Sequence, residues 1–209
     1  LTASYMPEDR EGGPIAPALA PDGSPFVESL ETRRGDAGLI ARLPLGMHSA
    51  PPILNVRLAA SHDRQARQFG ATPEHGEQNI LFGETSVAYS HAGIDWVGGV
   101  SWERETFRSP DVASLDYTFE TPAVFAQLTG APVAALTATL SARCDAQNVH
   151  GTYCSPRLST LSKLGQQWTL RLSAGGGIFV PTPFTEETGP IALSLLQPLT
   201  GLLVERARN

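Results

Sequence analysis

The chain has 209 residues, a net charge of −6 and only 17% charged side chains, against a usual ~25%. With 41% hydrophobic residues it is too apolar and too weakly charged for disorder, and its acidity excludes a dedicated nucleic-acid binder. No run of ~18 apolar residues is present to form a membrane-spanning helix, and 20 Gly plus 17 Pro break the chain too often for a helical bundle.

Taken in chain order, the dominant pattern is period-2 alternation, which places one apolar and one polar face on an extended strand. A weak case spans Gly38 to Leu45. From Leu54 to Asp63, Leu54, Val56, Leu58 and Ala60 oppose Asn55, Arg57, Ser61 and Asp63. Leu81 to Ser90 sets Leu81, Thr85, Val87 and Tyr89 against Glu84, Ser86 and Ser90. Asp95 to Glu105 sets Trp96, Val100 and Trp102 against Ser101, Glu103 and Glu105. Tyr117 to Gln127 is weaker, and Pro122 is expected at a bulge or an end. Ala135 to Cys144 and Gln167 to Gly176 repeat the clean pattern.

The punctuation between these runs alternates in length. Short turns are expected near Gly46–Pro52, His91–Gly93, Thr129–Val133 and Gly165–Gln166. Longer polar stretches are expected at Glu11–Ser29, Gln68–Asn79, Ser109–Asp116, Asp145–Tyr153 and Pro181–Gly201. Hairpins with tight turns at one end and large loops at the other are the pattern of outer-membrane barrels. Alternation alone also suits a soluble sandwich or barrel, which is the commoner all-β form. Two features favour the membrane form. Arg42, Arg57, Glu84, Arg143 and Arg171 put charge in mid-strand on the polar face, as a hydrated lumen allows. Tyr89, Trp96, Trp102 and Trp168 sit near strand ends on the apolar face, where an interfacial girdle would lie.

Potential chemistry is sparse. His48, His62, His75, His91 and His150 form no ligand-spaced pair with each other, Cys or carboxylates. No Gly-x-Ser-x-Gly elbow occurs, and no catalytic or metal constellation is found. Gly175-Gly176-Gly177 lacks the following Gly-Lys-Ser/Thr of a phosphate loop and reads as a bend or bulge in a strand. Cys144 and Cys154 flank Val149 and would face each other across a symmetric hairpin. They form either a cross-strand disulfide or two free thiols. Asp111, Asp116, Glu186 and Glu187 are the candidate ligand-facing loop residues at the outer mouth, although most loop carboxylates only hold water.

The stretch Trp168-Thr169-Leu170-Arg171-Leu172-Ser173-Ala174-Gly175-Gly176-Gly177-Ile178-Phe179-Val180-Pro181-Thr182-Pro183 resembles a strand of TonB-dependent outer-membrane receptors entering a long loop. Asp116 to Gln127 and Tyr153 to Ser159 resemble further strands of that family, and Glu205-Arg206-Ala207 its return into the next strand. The resemblance implies an all-β, antiparallel up-and-down meander of about eight or nine strands. That is an open part of a transmembrane barrel of about 22. Residues 1–209 would be an interior segment of the barrel domain, with neither plug domain nor closing strand. The implied role is uptake of a ferric siderophore, haem or cobalamin across the bacterial outer membrane, with no covalent chemistry and no cofactor. The implied partners are outer-membrane lipid, the plug of the same receptor and, through it, the TonB energy-coupling complex. The alternative class is a soluble all-β ligand- or carbohydrate-binding domain; a small closed eight-stranded membrane barrel is a further form. Free edges are expected before about residue 38 and after 202.

Overall fold

A computed structural model describes residues 1–12, 19, 23, 26–47, 50–182, 192–196 and 202–208. The chain is all-β, an antiparallel up-and-down meander in one open sheet whose ten strands pair in sequence order. The strands are β1 (Thr2–Gly12), β2 (Glu28–Pro44), β3 (Ile53–Phe69), β4 (Thr72–His91), β5 (Ile94–Arg108), β6 (Tyr117–Val133), β7 (Leu136–Gln147), β8 (Gly151–Leu164), β9 (Trp168–Phe179) and β10 (Glu205–Arg208). β1 lies outside the alternating runs because Tyr5 and Met6 are the only large apolar residues within it. It moves the free edge away from β2: the two edges are β1 and the four-residue β10.

Strand pairs share a face across the register, so each cross-strand row can be followed through the sheet. One row runs Leu39, Leu58, Gly83, Trp102 and Pro122. The next runs Ala41, Val56, Thr85, Val100, Val124, Cys144 and Cys154. Further along, Tyr89, Trp96, Leu128, Leu140, Leu158 and Ala174 form another. None of these rows carries a charge. On β5 and β6 the first charges on this face are Arg104 and Glu120, beyond the Leu39–Trp102 row, and they pair at 3.6 Å; at the β10 edge Arg206 and Arg208 share the face through Ile178 and Gly176.

The opposite face carries the charge. Ile40, Arg57, Glu84, Ser101, Ala123, Asp145 and Tyr153 form one of its rows. Arg57 meets Glu84 at 3.4 Å. Arg143 donates to Asp145 at 2.8 Å and to the Ser101 hydroxyl at 3.0 Å, with its guanidinium 6.0 Å from the Phe125 ring centre.

Burial is inverted relative to an ordinary core. Ser86, Ser101, Thr32 and Glu74, all on the charged face, are buried. The apolar face is open: Leu172 is 59% exposed, Leu140 58%, Val124 57% and Trp168 74%. A compact folded chain of this mass exposes about 9,400 Å². This one exposes 14101 Å². Among the described residues the buried apolar cluster is small: Val112, Leu115 and Leu193, with Phe107 and Leu196 packed against it.

The turns correct part of the expected loop pattern. Gln68–Asn79 is no loop: β3 and β4 continue to Phe69 and Thr72 and turn on Gly70 and Ala71. Likewise Asp145–Tyr153 is mostly strand, with only Asn148–His150 between β7 and β8. At the other end β4 turns into β5 on Ala92 and Gly93, with φ of 50° and 78°. Both residues are left-handed, as the hairpin turn that follows strand twist requires. The only register shift assigned in the ladders falls at Gly130/Val133, and neither Pro122 nor Gly175–Gly177 forms a bulge. Proline instead marks where ladders stop. The β6–β7 pairing ends at Ala123, beside Pro122, and the β8–β9 pairing ends at Arg157, beside Pro156. Proline has no N–H to continue a ladder. Beyond Pro122 the turn residue Asn148 takes over, its N–H bonding the Glu120 carbonyl and its side chain bonding the Glu120 N–H and the Thr118 carbonyl.

Gly99 of β5 lies between its register partners Ser86 of β4 and Phe125 of β6. A Cβ there would stand 2.5 Å from the Thr85 carbonyl oxygen and 2.7 Å from both the Phe125 ring and Ser86. Gly99→Ala should therefore destabilise the sheet by about 1–3 kcal/mol, read as a lower denaturant midpoint. Gly177→Ala, where nothing lies within 4 Å, serves as the neutral control.

Candidate functional site

The charged face continues past the apolar band into the β3–β4 hairpin and the end of β5. Here Arg67 and Glu74 are register partners. Glu74 is 1% exposed, and its carboxylate accepts from two successive backbone N–H groups, Leu193 at 2.6 Å and Ser194 at 2.8 Å. Beside it, Tyr117 donates to Glu105 at 2.5 Å, and Gln78 donates to the same carboxylate oxygen at 2.7 Å. Burial, followed by the bond to Glu105, raises the Tyr117 phenol well above its ordinary range. It stays protonated and a donor at any physiological pH. Burial lowers the Arg67 guanidinium against the pull of Glu74 and Asp63.

These groups border a cavity of about 310 Å³, which Asp63, Gln65, Arg67, Tyr117 and Leu193 help to line. The Asp63 Oδ1 atom is buried without a hydrogen-bond partner among the described residues. The cavity offers carboxylates, an amide, a phenol and aromatic surface, a set suited to holding a polar solute by hydrogen bonds. Among the described residues no group of His, Cys, Asp and Glu is placed to hold a metal ion.

Of the four candidate loop carboxylates, Asp111 and Asp116 lie among the described residues, and each is already bound. Asp111 accepts from the His75 backbone N–H at 2.6 Å and lies 2.9 Å from its Nδ1. Asp116 accepts from the Ser109 N–H at 2.8 Å and pairs with Arg108 at 3.3 Å. Asp111 thus ties the β5–β6 connection to β4, and Asp116 holds that connection to the end of β5. Glu186 and Glu187 lie outside the described residues, as does His48. Of the remaining histidines, His62 and His91 lie in strands rather than turns: His62 bonds Asn79 at 2.7 Å, and His91 stacks on Tyr89. His150 sits at the β7–β8 turn with its ring edge against Phe119.

Cys144 and Cys154 are register partners, joined by a disulfide with a Cα–Cα distance of 4.1 Å. The short Asn148–His150 turn sets that register.

Glu74, Glu105, Gln78 and Tyr117 were not legible as a site. The strand Pro73–Asn79 is polar on both faces, so it carries no alternation to mark it as a strand. The one usable signal is Glu74-x-Gly76-x-Gln78, small and polar residues at period two. Compared with models of known protein families and with curated proteins, the chain matches none.

Two outcomes follow from this geometry. The His75 hydrogen bonds, side chain first, hold the Asp111 carboxyl below its ordinary value of 3.8. A lowered folded value stabilises above the unfolded one and is lost as pH falls through the folded one. The His75 amide resonance should therefore keep its bonded shift on acidification to about pH 4 and move below it. Asp111→Asn should abolish that transition in an NMR titration. For the disulfide, alkylation of the unreduced protein should leave both sulfurs unmodified. Cys144→Ser with Cys154→Ser should cost about 2–3 kcal/mol in a denaturation midpoint.

Proposed function

We propose that the chain is a wall segment of a TonB-dependent receptor of the bacterial outer membrane, which imports a scarce bulky nutrient such as a ferric siderophore, haem or cobalamin. The observation that carries the membrane part is the distribution of burial: large apolar side chains stand open on one face, while the buried Thr32, Glu74, Ser86 and Ser101 all lie on the other. In water such a face would cost about 25 cal/mol for each Å² left uncovered. Against hydrocarbon it is the favourable surface, and the backbone groups within each ladder are already paired, as lipid demands.

Dimensions support the same reading. The apolar stretch of β4 on that face runs from Leu81 to Tyr89, close to the ~9–11 residues a tilted membrane strand needs. β4 itself is 20 residues long, so it projects well beyond such a band. The projecting half, Thr72 to Ile80, joins β3 and β5 in polar rows such as Arg33, Arg64, Glu77 and Arg108. Trp96 and Trp168 border the band near one set of turns, and Trp102, in mid-β5, borders it where Arg104 begins the polar rows. Aromatic side chains favour such boundaries.

The receptor assignment within membrane barrels rests on the motif resemblance around residues 116–127 and 135–206, together with an open sheet that needs more strands to close. In the proposed receptor, Arg42, Arg157 and Arg171 face the lumen. None has an ion-pair partner among the described residues, which leaves them available to carboxylates of a plug. The cavity beside Glu105 and Tyr117 lies at the outer mouth, where incoming nutrient is first met. Energy would reach the plug from the inner-membrane coupling complex.

The test compares the two faces. In brominated-lipid bilayers, Trp96, Trp102 and Trp168 should be quenched. Val124→Arg should lower insertion by about 2–4 kcal/mol, whereas Ser141→Arg on the sheltered face should be tolerated. A water-soluble, monomeric, sharply melting chain with unquenched tryptophans would instead identify a soluble all-β binding domain.

A further inference from the structure

Residues 192–196 of the β9–β10 connection lie away from β9. Leu193 and Leu196 lie against Phe107 of β5 and the 3-10 turn at Ala113–Leu115, and Leu193 is bonded to Glu74 of β4, several strands from β9. Two independent contacts hold it there. Glu74 binds the Leu193 and Ser194 N–H groups across 119 and 120 residues of sequence. Leu193 is 4% exposed and packs on Val112 and Leu115, which are 8% and 2% exposed. This is the small buried apolar cluster of an otherwise inverted sheet. A carboxylate removed from water is costly unless its acceptor sites are filled. Glu74 is buried because the segment covers it, and the segment supplies the donors that make burial tolerable. Glu74 and the segment therefore depend on each other.

Leu193 and Thr182 also form walls of the 310 Å³ cavity that Asp63, Gln65 and Arg67 line from the sheet side. Moving the segment away would open that cavity without disturbing any strand ladder, because residues 192–196 pair with no strand.

We propose that residues 192–196 are a strap that closes this cavity, latched by Glu74, and that release of the latch opens the cavity while the sheet stays folded. The device goes beyond the membrane reading and does not depend on it, since its latch can be read in any medium that keeps the chain folded.

Hydrogen exchange at the Leu193 and Ser194 amides reads the latch directly. Glu74→Gln keeps the shape and removes the charge of the acceptor. It should speed exchange at those two amides by about tenfold, with the β3 and β4 ladder amides unchanged. A cysteine introduced as Gln65→Cys on the cavity wall should react with a water-soluble maleimide faster by a similar factor in the Glu74→Gln background. Leu193→Ala reaches the same strap from its apolar side and should raise the labelling rate as well, with the same ladder amides as the control for folding. Labelling that stays at its original rate in both backgrounds overturns the closure. Exchange at open-chain rates in the unaltered protein overturns the latch. Failure of the bilayer quenching test alongside a tenfold response here would leave the strap standing on a different kind of protein.

Discussion

The ladder of backbone hydrogen bonds between consecutive strands holds this molecule together in place of a core. Every strand from β2 to β9 is paired on both sides with its neighbours in sequence. The buried apolar cluster of Val112, Leu115 and Leu193 is far too small to organise a chain of this length. A fold built this way is set by register, and register is set by turns: Gly70–Ala71, Ala92–Gly93 and Asn148–His150 each place the rows that follow. The side-chain rows then decide only which solvent each face prefers. That separation lets an apolar face remain open while the sheet stays ordered.

The same separation explains what could be read from the sequence. The band halves of β3, β5, β7 and β9 were visible because one face there is apolar and the other polar, which alternation reports directly. Gln68 to Asn79, the end of β3 and the outer half of β4, was read as a long loop because both faces are polar there: Glu74, His75, Glu77 and Gln78 give period two nothing to act on. β1 was missed for the same reason. The cysteine pairing was within reach because it depends on one short turn. Pro122 was rightly suspected of interrupting something, but what it interrupts is one ladder of β6, not the strand.

The cavity was hidden for a different reason. Its parts come from β3, β4, β5, β6 and the distant segment at residues 192–196, and no local pattern ties Glu74 to Leu193. Asp111 and Asp116 were conspicuous as loop carboxylates, yet each is already bound, one to His75 of β4 and the other to Ser109 and Arg108 beside it. Visibility in the sequence favoured exposed acids; the structure gives the bridging role to a buried one.

The two edges of the sheet are unlike, and this has a kinetic meaning. β10 presents four residues; β1 presents eleven, and its free side is not uniform. Thr2 to Met6 offer a plain template for another strand. Pro7 then removes a donor, and Glu8, Asp9, Arg10 and Glu11 crowd the rest with charge. Such residues are how sheet edges discourage indiscriminate pairing. An incoming strand would therefore nucleate at the Thr2 corner and meet a stop halfway along. The edge is therefore plain over its first half and guarded over its second.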